Sequence, residues 1–327
     1  MERTLKNSRV LVTGGAGFIG SNLIDSLLKS GNRVTCLDNF STGKRENLKG
    51  FISNSSFNLI EGDIRNPADC EKALRGADIV FHEAALGSVP RSIKDPVTTT
   101  DVNIGGFVKI LFAAKEAKVK RFIYAASSST YGDHPDLPKV EDKIGAPLSP
   151  YAITKYVNEL FASNFSKNYG IDVIGLRYFN VFGRRQDPDG AYAAVIPKFL
   201  KMMLNHEVPL INGDGSISRD FTYVDNVVQA NHLAALTTNK AALNQVFNVA
   251  NGERTTLKQL FYYLRDLAGK YDSRILSIEP LYGPDRAGDI LHSLASIEKA
   301  RTLLGYSPEL NVLQGLEESV KWFHDNL

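Results

Sequence analysis

Over the first 180 residues, short unbroken apolar runs alternate with longer stretches in which apolar residues recur every three or four positions. RVLVT (9–13), RVTCLD (33–38), FNLI (57–60), DIVF (78–81), RFIYAA (121–126) and DVIGLRYF (172–179) read as strands covered on both sides, as in a buried parallel sheet. Helical periodicity falls near 18–30, 67–75, 101–118 and 149–169. This strand–helix alternation predicts an α/β fold of the doubly wound, Rossmann-like class. Beyond residue 180 the alternation lapses. RRQDPDGAYAAVIP, INGDG and LYGPDRAGD are rich in turn formers, and helical stretches near 192–205, 255–269 and 312–325 are not evenly interleaved with strands. The pattern predicts a first lobe over 1–180, with a return to its sheet near 220–250 through VFNVA (246–250), and a smaller α/β lobe over 181–327.

Composition narrows the function classes. The chain has 327 residues, enough for two cored lobes, and its 38 basic and 36 acidic side chains form no long block of one sign. That balance speaks against a nucleic-acid surface or a polybasic membrane patch. No stretch approaches the roughly 20 apolar residues of a membrane span, and MERTLKNSRVLVTGG is too polar to resemble a signal peptide, so a cytoplasmic protein is expected. Cys36 and Cys70 are the only cysteines and are expected as buried free thiols, and the six histidines show no ligand spacing, so no metal is expected.

The first strand runs directly into TGGAGFIG, placing Gly14, Gly17 and Gly20 at three-residue spacing ahead of the helical segment SNLIDSLLKSG. Glycines there let the backbone turn tightly and approach a pyrophosphate at the positive end of a helix, so this turn is expected to bind a dinucleotide. Asp38 ends the second strand, where a carboxylate accepts ribose hydroxyls and repels an added phosphate; NAD is therefore favoured over NADP. Lys44 and Arg45 stand nearby, either as phosphate partners or as solvated loop charges. GDI (62–64) reads either as a border of the adenine or as a strand-end turn.

Tyr151 and Lys155, in PYAITKY, are four residues apart at the start of a predicted helix and so share one face. Bringing a tyrosine from a pKa near 10 close to neutrality takes roughly 4 kcal/mol, which a neighbouring ammonium and a positive nicotinamide ring can supply together.

The order TGGAGFIG, DNFSTG, GDIRN, SSSTYGD, SPYAITK, LRYFNVFG, RDFTYVD and RAGD, spanning residues 10–289, resembles the extended short-chain dehydrogenase/reductases, and within them the nucleotide-sugar 4-epimerases. HEAALGSVPRS, AASSSTYGDHP, NVFGRRQDP and YAAVIPK are most similar to bacterial UDP-N-acetylglucosamine 4-epimerases. The resemblance implies tightly bound NAD, a UDP-sugar substrate and a homodimer. It makes Ser127 the catalytic serine beside Tyr151 and Lys155. For the cofactor it implies Phe18, Ile19, Asn39, Phe40, Ser41, Gly43, Asp63, Ile64, Ala84, Ala85, Asn103 and Tyr178, in addition to the glycine turn and Asp38.

For the substrate it implies Gly87, Ser88, Asn180, Ala194, Val195, Lys198, Arg219, Arg286 and Asp289. Related dehydratases hold an Asp-Glu pair where this chain has Ser128 and Ser129, so elimination lacks a proton carrier, and the two hydroxyls are read as sugar contacts or as structural groups. Epimerases restricted to unsubstituted hexoses carry a large aromatic where this chain has Ser293, which implies room for a 2-acetamido group. A uronic-acid substrate is the alternative, with Arg91 or Arg184 as the added donor. His82 and Glu83 match no motif role and are read as structural.

Overall fold

The structure, a computed structural model, describes residues 3–189, 193–284 and 291–326. Seven parallel strands form the central sheet: β1 (Arg9–Thr13), β2 (Arg33–Asp38), β3 (Phe57–Glu61), β4 (Ile79–His82), β5 (Arg121–Ser127), β6 (Val173–Tyr178) and β7 (Gln245–Val249). Their spatial order is β7-β6-β5-β4-β1-β2-β3, so the chain starts in the middle, runs out to β3, and returns to place β4 on the other side of β1. Val10 pairs with Val34 on one side and with Ile79 on the other. The crevice at the carboxyl ends of β1 and β4 is the switch point where ligands of this fold class bind.

Alternation along each strand feeds two separate cores. Val10, Val12, Val34, Cys36, Ile123 and Phe247 enter one cluster, while Leu11, Leu37, Val80, Phe122 and Tyr124 enter the other. Helix α1 (Phe18–Lys29) packs on the first face. Helices α2 (Pro67–Leu74), α3 (Phe107–Glu116) and α4 (Pro150–Tyr169) cover the second. Cys36 and Cys70 are buried thiols in different clusters. The predicted helix over 101–118 begins as a π-helical turn, Asp101–Gly106, before α3.

A third core gathers Phe182 with α5 (Val195–Leu204) and, later in the chain, with α7 (Leu257–Ala268) and α9 (Val312–Asn326). Between them, α6 (Val224–Leu236) packs on the first face of the central sheet through Val227, Ala230 and Leu233. Segment 295–306, with α8 (Glu298–Leu304), joins the same cluster through Ala295, Ile297, Ala300 and Tyr306. Among the described residues, three two-stranded pairings fix the loops beyond β6: Val181–Phe182 with Thr222–Tyr223, Ser218–Arg219 with Thr255–Thr256, and Leu210–Asn212 with Leu281–Gly283. Among the described residues no helix is long and apolar enough to cross a membrane.

Candidate active site

One cavity runs along the carboxyl ends of the strands, from the glycine turn after β1 to the start of α4. Gly14 has φ +69°, and a Cβ there would lie 2.6 Å from the amide nitrogen of Ala84, in the connection leaving β4. A Cβ on Gly20 would lie 2.3 Å from the Gly14 carbonyl oxygen. Larger residues at either position would push these connections apart. Gly17 caps α1, and the amides of Phe18, Ile19 and Gly20 in the first turn precede any intrahelical acceptor, so positive charge density faces the cavity with no acidic side chain in that turn to neutralise it.

At the same end Asp38 lines the wall. Its Oδ2 accepts from the Ala16 amide at 2.9 Å and its Oδ1 from the Phe40 amide at 2.8 Å. Burial raises its pKa against the pull of these two donors. Asn39, Ser41, Gly43, Asp63 and Ile64 line the cavity beyond it. Asp63 accepts from Asn39 Nδ2 at 2.8 Å, and the Arg65 guanidinium holds its carboxyl down to about 2. Lys44 and Arg45 are both engaged: Lys44 pairs with Asp187 at 2.8 Å, and Arg45 pairs with Glu61 at 2.7 Å while lying 4.0 Å over the Phe40 ring. The open helix end, the glycine cradle and the Asp38 carboxylate fit an NAD cofactor.

At the other end Ala84, Ala85, Gly87, Ser127, Tyr151, Lys155 and Tyr178 share the wall. Ser149 caps α4 by accepting from the Ala152 amide at 3.1 Å, with Pro150 at its first position, so Tyr151 stands in the first turn. Lys155, one turn on, donates to the Ala125 carbonyl of β5 at 2.7 Å. Burial raises the Tyr151 pKa, and the Ser127 hydroxyl is the hydrogen-bonding neighbour that lowers it. Lys155 is not among the groups shifting the phenol; burial brings Lys155 itself down to about 8, with Glu83 and Glu159 pulling it back up. The sequence assigns the lowering of the phenol to Lys155 and a nicotinamide ring acting together; among the protein's own groups it is the Ser127 hydroxyl that lowers it.

Several expected contacts lie behind the wall. Phe40 is stacked under Arg45, and Asn103 instead clamps the loop after β4, accepting from the Leu86 amide at 2.8 Å and donating to Thr154 Oγ1 at 3.1 Å. Ser88 caps the short helix Val89–Lys94 by accepting from the Arg91 amide at 3.2 Å. Ser128 and Ser129 follow β5 in a 3-10 turn outside the cavity lining. Ala194 caps α5, Val195 opens it, and Lys198 is exposed on its first turn. Arg286 and Asp289 lie outside the described residues.

Asn180 and Ser293 meet around the backbone of Asp220. Asn180 Nδ2 donates to the Asp220 carbonyl at 2.9 Å and to Ser293 Oγ at 3.2 Å, and the Asp220 amide donates to Ser293 Oγ at 3.3 Å. Arg219, next to this knot, donates to the carbonyls of Ser218 and Leu291. Arg184 is bidentate to Asp225, at 2.7 and 3.0 Å, and also meets the Tyr223 hydroxyl.

Among the ionisable wall residues, Glu83, read from the sequence as structural, and Arg185 and Asp187, given no role there, also line the cavity. Glu83 follows the carboxyl end of β4, the place where the switch-point rule directs attention. Arg185 and Asp187 come from the turn-rich segment after β6, and only the folded connection shows that they reach the cofactor crevice.

A family model described as the NAD dependent epimerase/dehydratase family matches residues 10–250. UDP-glucose 4-epimerase of Mycolicibacterium smegmatis is 36% identical over 320 residues, 97% of this chain and 99% of that protein. Among solved structures, a UDP-N-acetylglucosamine 4-epimerase from Methanobrevibacter ruminantium, in complex with UDP-N-acetylmuramic acid, is 41% identical with a TM-score of 0.92, covering 99% of this chain and 100% of that one. A UDP-glucuronic acid 4-epimerase from Bacillus cereus, with UDP-glucuronic acid and NAD, is 34% identical with a TM-score of 0.87, covering 98% and 100%. The glycine turn, the Asp38 wall and the matched span agree: the chain belongs to the NAD-dependent epimerase/dehydratase family, and its relatives there include nucleotide-sugar 4-epimerases.

Proposed function

We propose that this enzyme interconverts UDP-N-acetylglucosamine and UDP-N-acetylgalactosamine by inverting C4. The cofactor occupies residues 1–180 with the 220–250 return, and the UDP-sugar occupies 181–327. NAD, when bound, takes up hydride from C4 and gives it back. Tyr151, as phenolate, accepts the C4 hydroxyl proton, and Ser127 relays or orients that proton. Lys155 holds positive charge at the same end of the cavity. The 4-keto sugar turns about its diphosphate link, Tyr151 returns the proton, and the opposite face is reduced, so electrons and protons balance over a turnover.

The observation that carries the substrate assignment is Ser293, a small side chain at the Asn180–Asp220 knot, at the position where the resemblance puts a large aromatic in epimerases restricted to unsubstituted hexoses. The similarity to a protein holding an N-acetylated UDP-sugar supports it. A uronic acid would need a donor for its carboxylate, and of the two candidates, Arg91 and Arg184, the second is committed to Asp225. Exposed Phe112, Ile153 and Leu160 on α3 and α4 support a homodimer through those helices. Incubation with each UDP-sugar and chromatography of the products tests the reading: N-acetylhexosamines should interconvert fastest, and preference for UDP-glucuronic acid or loss of water from the sugar would overturn it.

A further inference from the structure

Glu83 is an acid at the reacting end of the cavity that the serine, tyrosine and lysine leave unused. Its amide donates to the Thr13 carbonyl at 3.1 Å, continuing β4 past the switch point. The preceding His82 packs between Phe107 and Phe122, and Glu83 lines the cavity with Tyr151, Lys155 and Tyr178. Tyr178 Oη donates to Glu83 Oε1 at 2.8 Å, and Asn231 Nδ2 donates to Tyr178 Oη at 2.9 Å. The second Asn231 amide proton goes to the Val227 carbonyl, so the donors along this line all point toward the carboxyl, the arrangement that favours negative charge there.

The charged surroundings are few. From α4, Lys155 faces Glu83; the other acid acting on Lys155, Glu159, is already bidentate to Arg177 at 2.7 and 2.9 Å. His82, beside Glu83 on β4, is brought down to about 3 by burial and stays neutral. From β6 the facing group is the Tyr178 phenol, whose pKa burial and Glu83 raise. Among the described residues, Tyr151 is the remaining titrating group lining this end of the cavity.

We propose that Glu83 is a positioning residue for the hydride steps, orienting Tyr178 and placing a negative charge beside Lys155 in the cavity end that receives the nicotinamide, so that the oxidised cofactor is favoured over the reduced. This rests on the assignment of Ser127, Tyr151 and Lys155 as the reacting end. The nicotinamide ring is positive when oxidised and neutral when reduced, so a nearby carboxylate stabilises only the oxidised form. In an enzyme that must return its hydride every turnover, that bias opposes accumulation of reduced enzyme. Burial brings the Glu83 carboxyl up to about 7 against Tyr178 and Lys155, so the bias varies with pH.

The sign separates it from Tyr151. Protonating Glu83 raises the reduced fraction, whereas protonating Tyr151 removes the base for the substrate hydroxyl and lowers it. The test is the near-ultraviolet absorbance of reduced nicotinamide in the holoenzyme, equilibrated with saturating UDP-N-acetylglucosamine or UDP-glucose across neutral pH. The parent should show a reduced fraction that rises as pH falls through about 7. Glu83→Gln keeps an acceptor for Tyr178, and should show a reduced-to-oxidised ratio about ten- to a hundredfold higher above neutrality, without that rise. An unchanged ratio and pH course in the variant, at equal cofactor content, overturns the inference. Should the variant lose its cofactor, the parent decides alone: a reduced fraction that is flat or falls with falling pH overturns it. Absence of any substrate-dependent signal in the parent sinks the assignment of the reacting end as well.

Discussion

Ser129 Oγ donates to Ser127 Oγ at 2.9 Å, and the Ser129 amide donates to the same oxygen at 3.1 Å. With two hydrogen bonds accepted, Ser127 Oγ keeps its own proton to donate, and the Ser127 hydroxyl is the neighbour that lowers the Tyr151 phenol. The middle and last serines of the triplet therefore differ: Ser129 is hydrogen-bonded to Ser127, whereas Ser128 makes no such bond to it, so on the proposed mechanism Ser129 is the one that orients Ser127. Ser127→Ala should lower kcat about 10²-fold. Ser129→Ala should lower kcat less, with KM unchanged, and Ser128→Ala should alter neither by more than a small factor. Steady-state kinetics of the three variants decide it; a KM effect confined to Ser129→Ala would restore it as a sugar contact.

The pH course of turnover follows from the two α4 side chains. On the proposed mechanism the base is the ionised phenol, so activity should climb as pH rises through the Tyr151 pKa in the loaded enzyme. It should decline above about 8 as Lys155 gives up its proton. Tyr151→Phe should abolish turnover while leaving the NAD content of the purified protein unchanged. Lys155→Met, lacking the cation, should move the rising limb to higher pH. A limb that stays put would remove Lys155 from the electrostatic account.

Ser293→Tyr should lower the ratio of kcat/KM for UDP-N-acetylglucosamine to that for UDP-glucose by roughly tenfold to a hundredfold, since overpacking a formed pocket costs about 1–3 kcal/mol. Ser293 Oγ also ties Asn180 to Asp220, so Ser293→Ala is the needed companion: it removes those hydrogen bonds without filling space and should leave the ratio unchanged. Equal shifts in both variants would assign the effect to the lost hydrogen bonds and withdraw the steric argument.

Arg177 and Glu159 form a pair that is 4% and 7% exposed, linking β6 to α4 and hence to Tyr151 and Lys155. Arg177 also lies 4.8 Å over the Tyr131 ring. Glu159→Ala leaves the guanidinium buried and unpaired, and should cost about 3–5 kcal/mol in denaturant unfolding. The exposed Lys29–Asp25 pair, with Lys29 at 74% exposure, should contribute no more than about 1 kcal/mol when Lys29 is replaced by Ala. Similar losses at the two sites would contradict the role of burial.

The doubly wound sheet was legible because buried parallel strands such as RVLVT and DVIGLRYF are apolar on both faces, and because the glycine turn follows the first of them directly. Helix α6 was not, since Val224–Leu236 buries its polar side chains Asn226, Gln229, Asn231 and His232 along with its apolar ones, so its polar positions do not mark a solvent face. Tyr151, Lys155 and Asp38 could be found from spacing and strand ends. The uses of Ser88 as a cap, Ser129 as a donor to Ser127 and Asn103 as a loop clamp depend on which backbone amide lies within reach, and a linear sequence does not state that. Glu83 was visible as a carboxylate at a strand end, but only the Tyr178 hydroxyl, 95 positions along the chain, shows where it points.

The central claim is that hydride leaves C4 and returns to C4 of the same sugar. UDP-N-acetylglucosamine carrying deuterium at C4, incubated with the purified protein and no added cofactor, measures it by mass spectrometry and nuclear magnetic resonance of the products. The account predicts UDP-N-acetylgalactosamine with the deuterium retained at C4. Epimerised product whose label has been lost to water, or a product that has lost water from the sugar, would contradict it.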